Sequence, residues 1–91
     1  MSVARAHVYV SGMVQGVGYR YFVIDAARAH HVTGWVRNLS DGRVEAEIEG
    51  PSEAVERMIE LLREGPRFSR VDDLEVTREE GEAVHESFQV R

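Results

Sequence analysis

The sequence contains no cysteine. Disulfide bridges, thiolate zinc sites and cysteine nucleophiles are therefore excluded. It also lacks a surplus of positive charge: 11 Lys and Arg stand against 16 Asp and Glu, a formal net charge of −5. That balance disfavours broad binding along a nucleic-acid backbone. A few local N–H groups and one arginine can still hold a small anion against a diffuse negative surface. No N-terminal apolar run resembles a signal peptide, and none approaches membrane-spanning length. The expected setting is the cytoplasm, with no membrane partner. Repeats, linkers and low-complexity segments are absent as well. The 91 residues are expected to form one domain, residues 1–91, near the lower limit for folding without staples.

What is present is organised around a glycine-rich stretch at residues 11–20. It leaves an alternating strand at residues 6–10, in which Ala6, Val8 and Val10 share one face. It leads into a helix expected from Tyr21 to about His30, with Val23, Ala27 and His30 on one stripe and Ile24 off it. Residues 34–38 read as a short strand. Leu39-Ser40-Asp41-Gly42 then carries the Asp-Gly pair that tight hairpins favour. In residues 43–49, Val44, Ala46 and Ile48 point one way and Glu45, Glu47 and Glu49 the other, which predicts one buried face and one solvated acidic face.

Pro51 opens a second helix, where a missing N–H costs little. Val55, Met58, Ile59 and Leu62 keep amphipathic spacing, and Gly65-Pro66 ends the run. Residues 71–77 read as a strand, 79–83 as a polar turn and 87–91 as a final strand with Phe88 and Val90 facing inward. Two amphipathic helices and a sheet apolar on one face predict an α+β fold. The expected form is a ferredoxin-like two-layer sandwich, with two helices on one face of a mainly antiparallel sheet.

The loop between the first strand and helix can expose backbone N–H groups at the positive end of that helix, which suits a phosphate or carboxylate. Gly16 and Gly18 can take positive φ, and Arg20 can offer a planar fork of donors to the same anion. Other phosphate chemistries do not fit. No lysine follows the last glycine as in a Walker loop, and Tyr21 stands where the dinucleotide fingerprint needs a third glycine. Val14 lies six residues before Arg20, where a phosphatase of the cysteine type would carry its thiolate. There is no Gly-x-Ser-x-Gly elbow and no His-Glu-x-x-His zinc motif. An anion cradle without a nucleophile can act only by aiming water. That is feasible when the leaving group is already good, as with the carboxylate of a mixed carboxylic–phosphoric anhydride. Asn38, at the end of its strand, is the candidate to hold the water.

Two long segments carry a resemblance. Residues Val10 to Arg20 resemble the signature of the acylphosphatase family, and Gly34-Trp35-Val36-Arg37-Asn38-Leu39-Ser40-Asp41-Gly42-Arg43-Val44 resembles its second signature, with Gly50 following. The similarity runs essentially end to end. It implies hydrolysis of acyl phosphates to a carboxylate and inorganic phosphate, without metal or cofactor, in the ferredoxin-like fold. The arginine matching Arg20 would bind the phosphoryl group together with the amides of Gln15, Gly16, Val17, Gly18, Tyr19 and Arg20. The asparagine matching Asn38 would orient the attacking water.

Departures from the pattern fall outside Arg20 and Asn38. Met13 stands where relatives often carry a basic residue, His30 where an apolar residue is common, and His31 at a helix end where glycine is usual. A left-handed His31 would cost roughly 1 kcal/mol against glycine.

The remaining features read as structural. Tyr19 and Trp35 are expected to pack around the loop, and His7 and His85 to lie on the surface. His30 and His31 point in different directions on a helix and do not form a metal site. An RNA-binding sheet of the same architecture would need exposed aromatics and a basic face, and the glutamate row offers the opposite. The competing expectation is a non-catalytic anion-binding regulatory module, against which the intact Arg20 and Asn38 argue. The expected partner is a small acyl phosphate and the expected state a monomer. Nothing in the sequence specifies the acyl group.

Overall fold

The computed structural model describes residues 2–91. Its elements follow the order β1 (Ser2–Met13), α1 (Tyr19–Ala29), β2 (Thr33–Asn38), β3 (Val44–Gly50), α2 (Ser52–Glu64), β4 (Arg70–Glu82) and β5 (Phe88–Val90). The strands lie in the order β4-β1-β3-β2-β5. All neighbours are antiparallel except β2 and β5. Ala6, Val8 and Val10 of β1, Val36 of β2, and Val44, Ala46 and Ile48 of β3 form the sheet side of the core. Val23 and Ala27 of α1, with Val55, Met58, Ile59 and Leu62 of α2, close over them. This is the ferredoxin-like α+β sandwich that the patterning predicts, with β5 added beside β2.

Three strands differ from the expectation in extent. β1 and β4 are longer, because their ladder continues from Ser2–Glu82 through to Met13–Arg70, with one register shift between Ser11 and Gly12. Residues 79–82, expected in a turn, remain in the strand because β1 supplies partners. Arg5 lies opposite Glu79 and pairs with it at 3.1 Å. β5 shrinks to three residues; Phe88 is buried, but Val90 is 48% exposed rather than inward.

The helix end behaves as its sequence suggests. His31 has φ 55, and beyond it Val32 N–H donates to Ala27 O at 2.8 Å. This is the 6→1 bond of a left-handed helix stop, a position that favours glycine.

The glutamate row requires a correction. The alternation is as read, but the face opposite the helices is not solvated: Glu45 is 5% exposed and Glu49 1%. Strand register explains this, because Glu49 lies opposite Arg5 and Glu45 opposite Arg37. Arg5 pairs with Glu49 at 2.9 Å and Arg37 with Glu45 at 2.6 Å. The segment between β4 and β5 then folds across the face. Its His85 N–H donates to Glu49 at 3.0 Å, and the His85 ring reaches Glu47 at 2.5 Å. His7 lies 2.6 Å from Glu45 and 3.4 Å from Glu47. Both histidines, expected at the surface, are therefore partly covered members of a charge network.

Candidate active site

The β1–α1 connection is pinned at both ends by core residues. Val14 is buried where β1 ends, and Tyr19 is buried in the first turn of α1, its hydroxyl donating to Leu62 O in α2 at 2.6 Å. Burial holds the Tyr19 phenol in its neutral form by raising its pKa. Tyr19 is thus the packing residue its position suggested. It also starts the helix two residues earlier than the expected Tyr21.

Between these anchors the chain turns through Gly16 at φ 75 and Gly18 at φ 80. A Cβ on either glycine would meet nothing within 4 Å. Glycine is needed there for the left-handed backbone and not for lack of space. Gly18 caps α1 without a side-chain hydrogen bond, and no acidic residue occupies the first turn. The N–H groups and positive end of the helix dipole are therefore left uncompensated by any acidic side chain of that turn.

The Gln15 side chain turns away from this opening. Its Nε2 donates to Leu39 O at 2.7 Å and to Arg43 O at 2.9 Å. It ties the loop to the β2–β3 turn immediately after Asn38. Asn38 closes the β2–β3 ladder opposite Val44. Its Oδ1 is buried and has no hydrogen-bond partner among the described residues, although buried acceptors are ordinarily satisfied.

A pocket of about 240 Å³ collects these parts. It is lined by Val14, Gly16, Gly18, Tyr19, Arg20, Tyr21 and Asn38. Of the residues singled out from the sequence, Gly16, Gly18, Tyr19, Arg20 and Asn38 share this space, whereas Val17 does not line it and the Gln15 side chain serves the neighbouring turn. Arg20 makes no hydrogen bond or ion pair to another described residue, so its fork is available. Sequence reasoning missed the Gln15 tie, whose acceptors are backbone carbonyls without a sequence signal. It also missed Tyr21 as a wall, although its place in the first helical turn was the available clue. Among the described residues no cluster of three or more His, Cys, Asp or Glu is placed to hold a metal ion. No helix among them is long and apolar enough to cross a membrane.

Comparison with known proteins shows the family. The acylphosphatase family model matches residues 6–90. An acylphosphatase of Haloarcula marismortui is 52% identical over 91 residues, covering 100% of this chain and 99% of its own. One from Syntrophotalea carbinolica is 48% identical over the same span, with 100% and 99% covered. The crystal structure of acylphosphatase from Bacillus subtilis superposes with a TM-score of 0.92 at 40% identity, covering 97% of this chain and 98% of that one. With a match from strand β1 through strand β5 and about half of all residues shared with full-length relatives, the chain belongs to the acylphosphatase family.

Proposed function

We propose that the chain hydrolyses acyl phosphates by direct attack of water, with Arg20 and the 15–20 loop holding the phosphoryl group and Asn38 holding the water. The phosphoryl oxygens accept hydrogen bonds from loop N–H groups at the start of α1 and from the Arg20 guanidinium, a charge-assisted arrangement. The water donates one proton to Asn38 Oδ1, which aims its lone pair at phosphorus. As the new P–O bond forms, the bond from phosphorus to the acyl oxygen breaks and its electron pair leaves on the carboxylate. The water's proton ends on phosphate or solvent. A carboxylate is a weak base, with an ordinary pKa near 4, so the leaving group needs no general acid. Catalysis reduces to placement and to donors aimed at the charge on the transferring group.

The observation that carries this reading is the buried, unsatisfied Oδ1 of Asn38 in the same pocket as Arg20 and the glycine turn. An acceptor of that kind suits a water molecule better than a second anion. The reading further takes residues 1–91 as one acylphosphatase-like domain, acting as a cytoplasmic monomer without metal, cofactor or nucleic acid. The net charge of −5 supports the last of these.

The test is release of inorganic phosphate from acetyl phosphate by the purified chain in the presence of a chelator. Turnover above the spontaneous rate is expected, with inorganic phosphate inhibiting competitively. A folded protein that binds phosphate yet leaves acetyl phosphate intact would overturn the reading in favour of an anion-binding module.

A further inference from the structure

We propose that a groove adjoining the phosphate pocket receives the acyl group, and that Ile24 and Val90 make it selective for apolar acyl chains. The inference rests on the hydrolytic reading above and adds the class of substrate.

The groove measures about 230 Å³ and is lined by Arg20, Tyr21, Ile24 and Val90. Arg20 and Tyr21 also line the phosphate pocket, so the two spaces share a wall. Asn38 lines only the phosphate pocket, and Ile24 and Val90 line only the groove. In-line displacement places the attacking and leaving oxygens on opposite sides of phosphorus. With water at Asn38, the leaving carboxylate points away from Asn38. The groove is the neighbouring space that Asn38 does not line.

Its chemistry follows from where it lies. One wall is the first turns of α1, and the other is β5, whose Val90 pairs with Val36 at the edge of the sheet. β5 is the last strand on this side of the sheet, and no strand among the described residues lies beyond it. Tyr21 is left 74% exposed next to the half-exposed Val90. Apart from Arg20, which faces both spaces, the groove has no charged wall. A polar acyl group lying against Ile24 and Val90 would lose water there without gaining a hydrogen-bond partner from either. An apolar chain gains up to about fourfold in binding per fully buried methylene, and about twofold in a groove open on one side.

A series of β-ketophosphonates tests this, because CH₂ replaces the bridging oxygen and binding is read without turnover. Calorimetry on the intact chain should show affinity rising roughly 16-fold from the acetyl to the hexanoyl analogue, in line with about twofold for each of four added methylenes. Val90→Ser should flatten that rise. Val90→Trp, which fills the groove from an exposed edge position, should abolish it. Affinity independent of chain length, or a rise that survives Val90→Trp, would overturn the proposal. Acetyl and hexanoyl phosphate release carboxylates of nearly equal basicity, so kcat/KM on the pair should follow the same trend. Chain-length-dependent binding with no turnover of either phosphate would leave the groove standing and remove the hydrolytic reading instead.

Discussion

Gln15 and Leu39 lie 24 positions apart in the chain, and the carboxamide of one donates to the carbonyl of the other at 2.7 Å. The same nitrogen reaches Arg43 O at 2.9 Å. One side chain thus fixes the distance between the glycine turn and the hairpin that begins after Asn38. Gln15→Met keeps the length and removes the donor. Each carbonyl keeps a backbone donor, Gly42 N–H for Leu39 O and Leu39 N–H for Arg43 O. The expected stability loss is therefore only about 1 kcal/mol, a drop of several degrees in Tm for a domain of this size. Turnover should fall further than phosphate affinity does. Thermal melts and steady-state kinetics check both, and an unaltered kcat would make Gln15 a purely structural tie.

Asn38 and Arg20 should separate in their kinetic signatures. Asn38→Ala is expected to lower kcat while inorganic phosphate inhibits nearly as before, since only the water loses its acceptor. Arg20→Ala should lose both, with at least the ~1.5–3 kcal/mol of a charge-assisted contact, or roughly 10- to 150-fold in phosphate affinity. Arg20→Lys should recover little, because an ammonium lacks the planar fork. Phosphate inhibition constants measured beside kcat decide the matter. Equal losses in Asn38→Ala would assign that residue to phosphate binding.

His31→Gly should stabilise the protein. His31 sits at φ 55, exposed, at the end of α1, and its ring makes no hydrogen bond to another described residue. Relief of the left-handed conformation is worth about 1 kcal/mol, offset in part by the greater freedom of glycine in the unfolded chain. A Tm raised by a few degrees with unchanged kcat is expected in a melt of the variant beside the parent.

Acid should unfold the protein through the covered face of the sheet. Burial pushes Glu45, Glu47 and Glu49 toward higher pKa, but hydrogen bonds outweigh it and leave all three below the ordinary carboxylate value. The donors are His7 and Arg37 for Glu45, His85 and His7 for Glu47, and the His85 and Val84 amides with Arg5 for Glu49. A carboxylate with a depressed folded-state pKa adds stability that is fully present above its unfolded value and is lost as pH falls through the folded one. Stability should therefore hold at neutral pH and decline from about pH 4.3 downward. Glu49→Gln should be less stable than the parent at pH 7, with the difference shrinking in acid. Denaturant midpoints measured across this range test the sign.

The sequence made the layers legible because period-2 and period-3.6 patterns are local properties of β3 and α2. It made the cradle legible because Gly16, Gly18 and Arg20 are consecutive with the helix they serve. Long-range register was not legible. Nothing near Glu49 announces that Arg5 stands opposite or that His85 returns over it, so a row of alternating glutamates read as solvated. The strand at 79–82 failed for the same reason, since Glu and Gly are poor strand formers until β1 pairs with them. The Asn38 position was legible as the end of a strand and as part of the second signature. Its unsatisfied oxygen depends on what the rest of the pocket leaves unfilled.

The two buried anchors of the glycine turn have a thermodynamic consequence. Fixing one residue's backbone costs about 1–2 kcal/mol in conformational entropy, and four residues separate Val14 from Tyr19. Val14, Tyr19 and the Gln15 side chain order that stretch on folding, so on the proposed reading a phosphate that enters would meet a turn already fixed. The affinity of the site is then set by contacts and not reduced by loop ordering. Any change that loosens the Tyr19–Leu62 bond is then expected to weaken phosphate binding from the far side of the core.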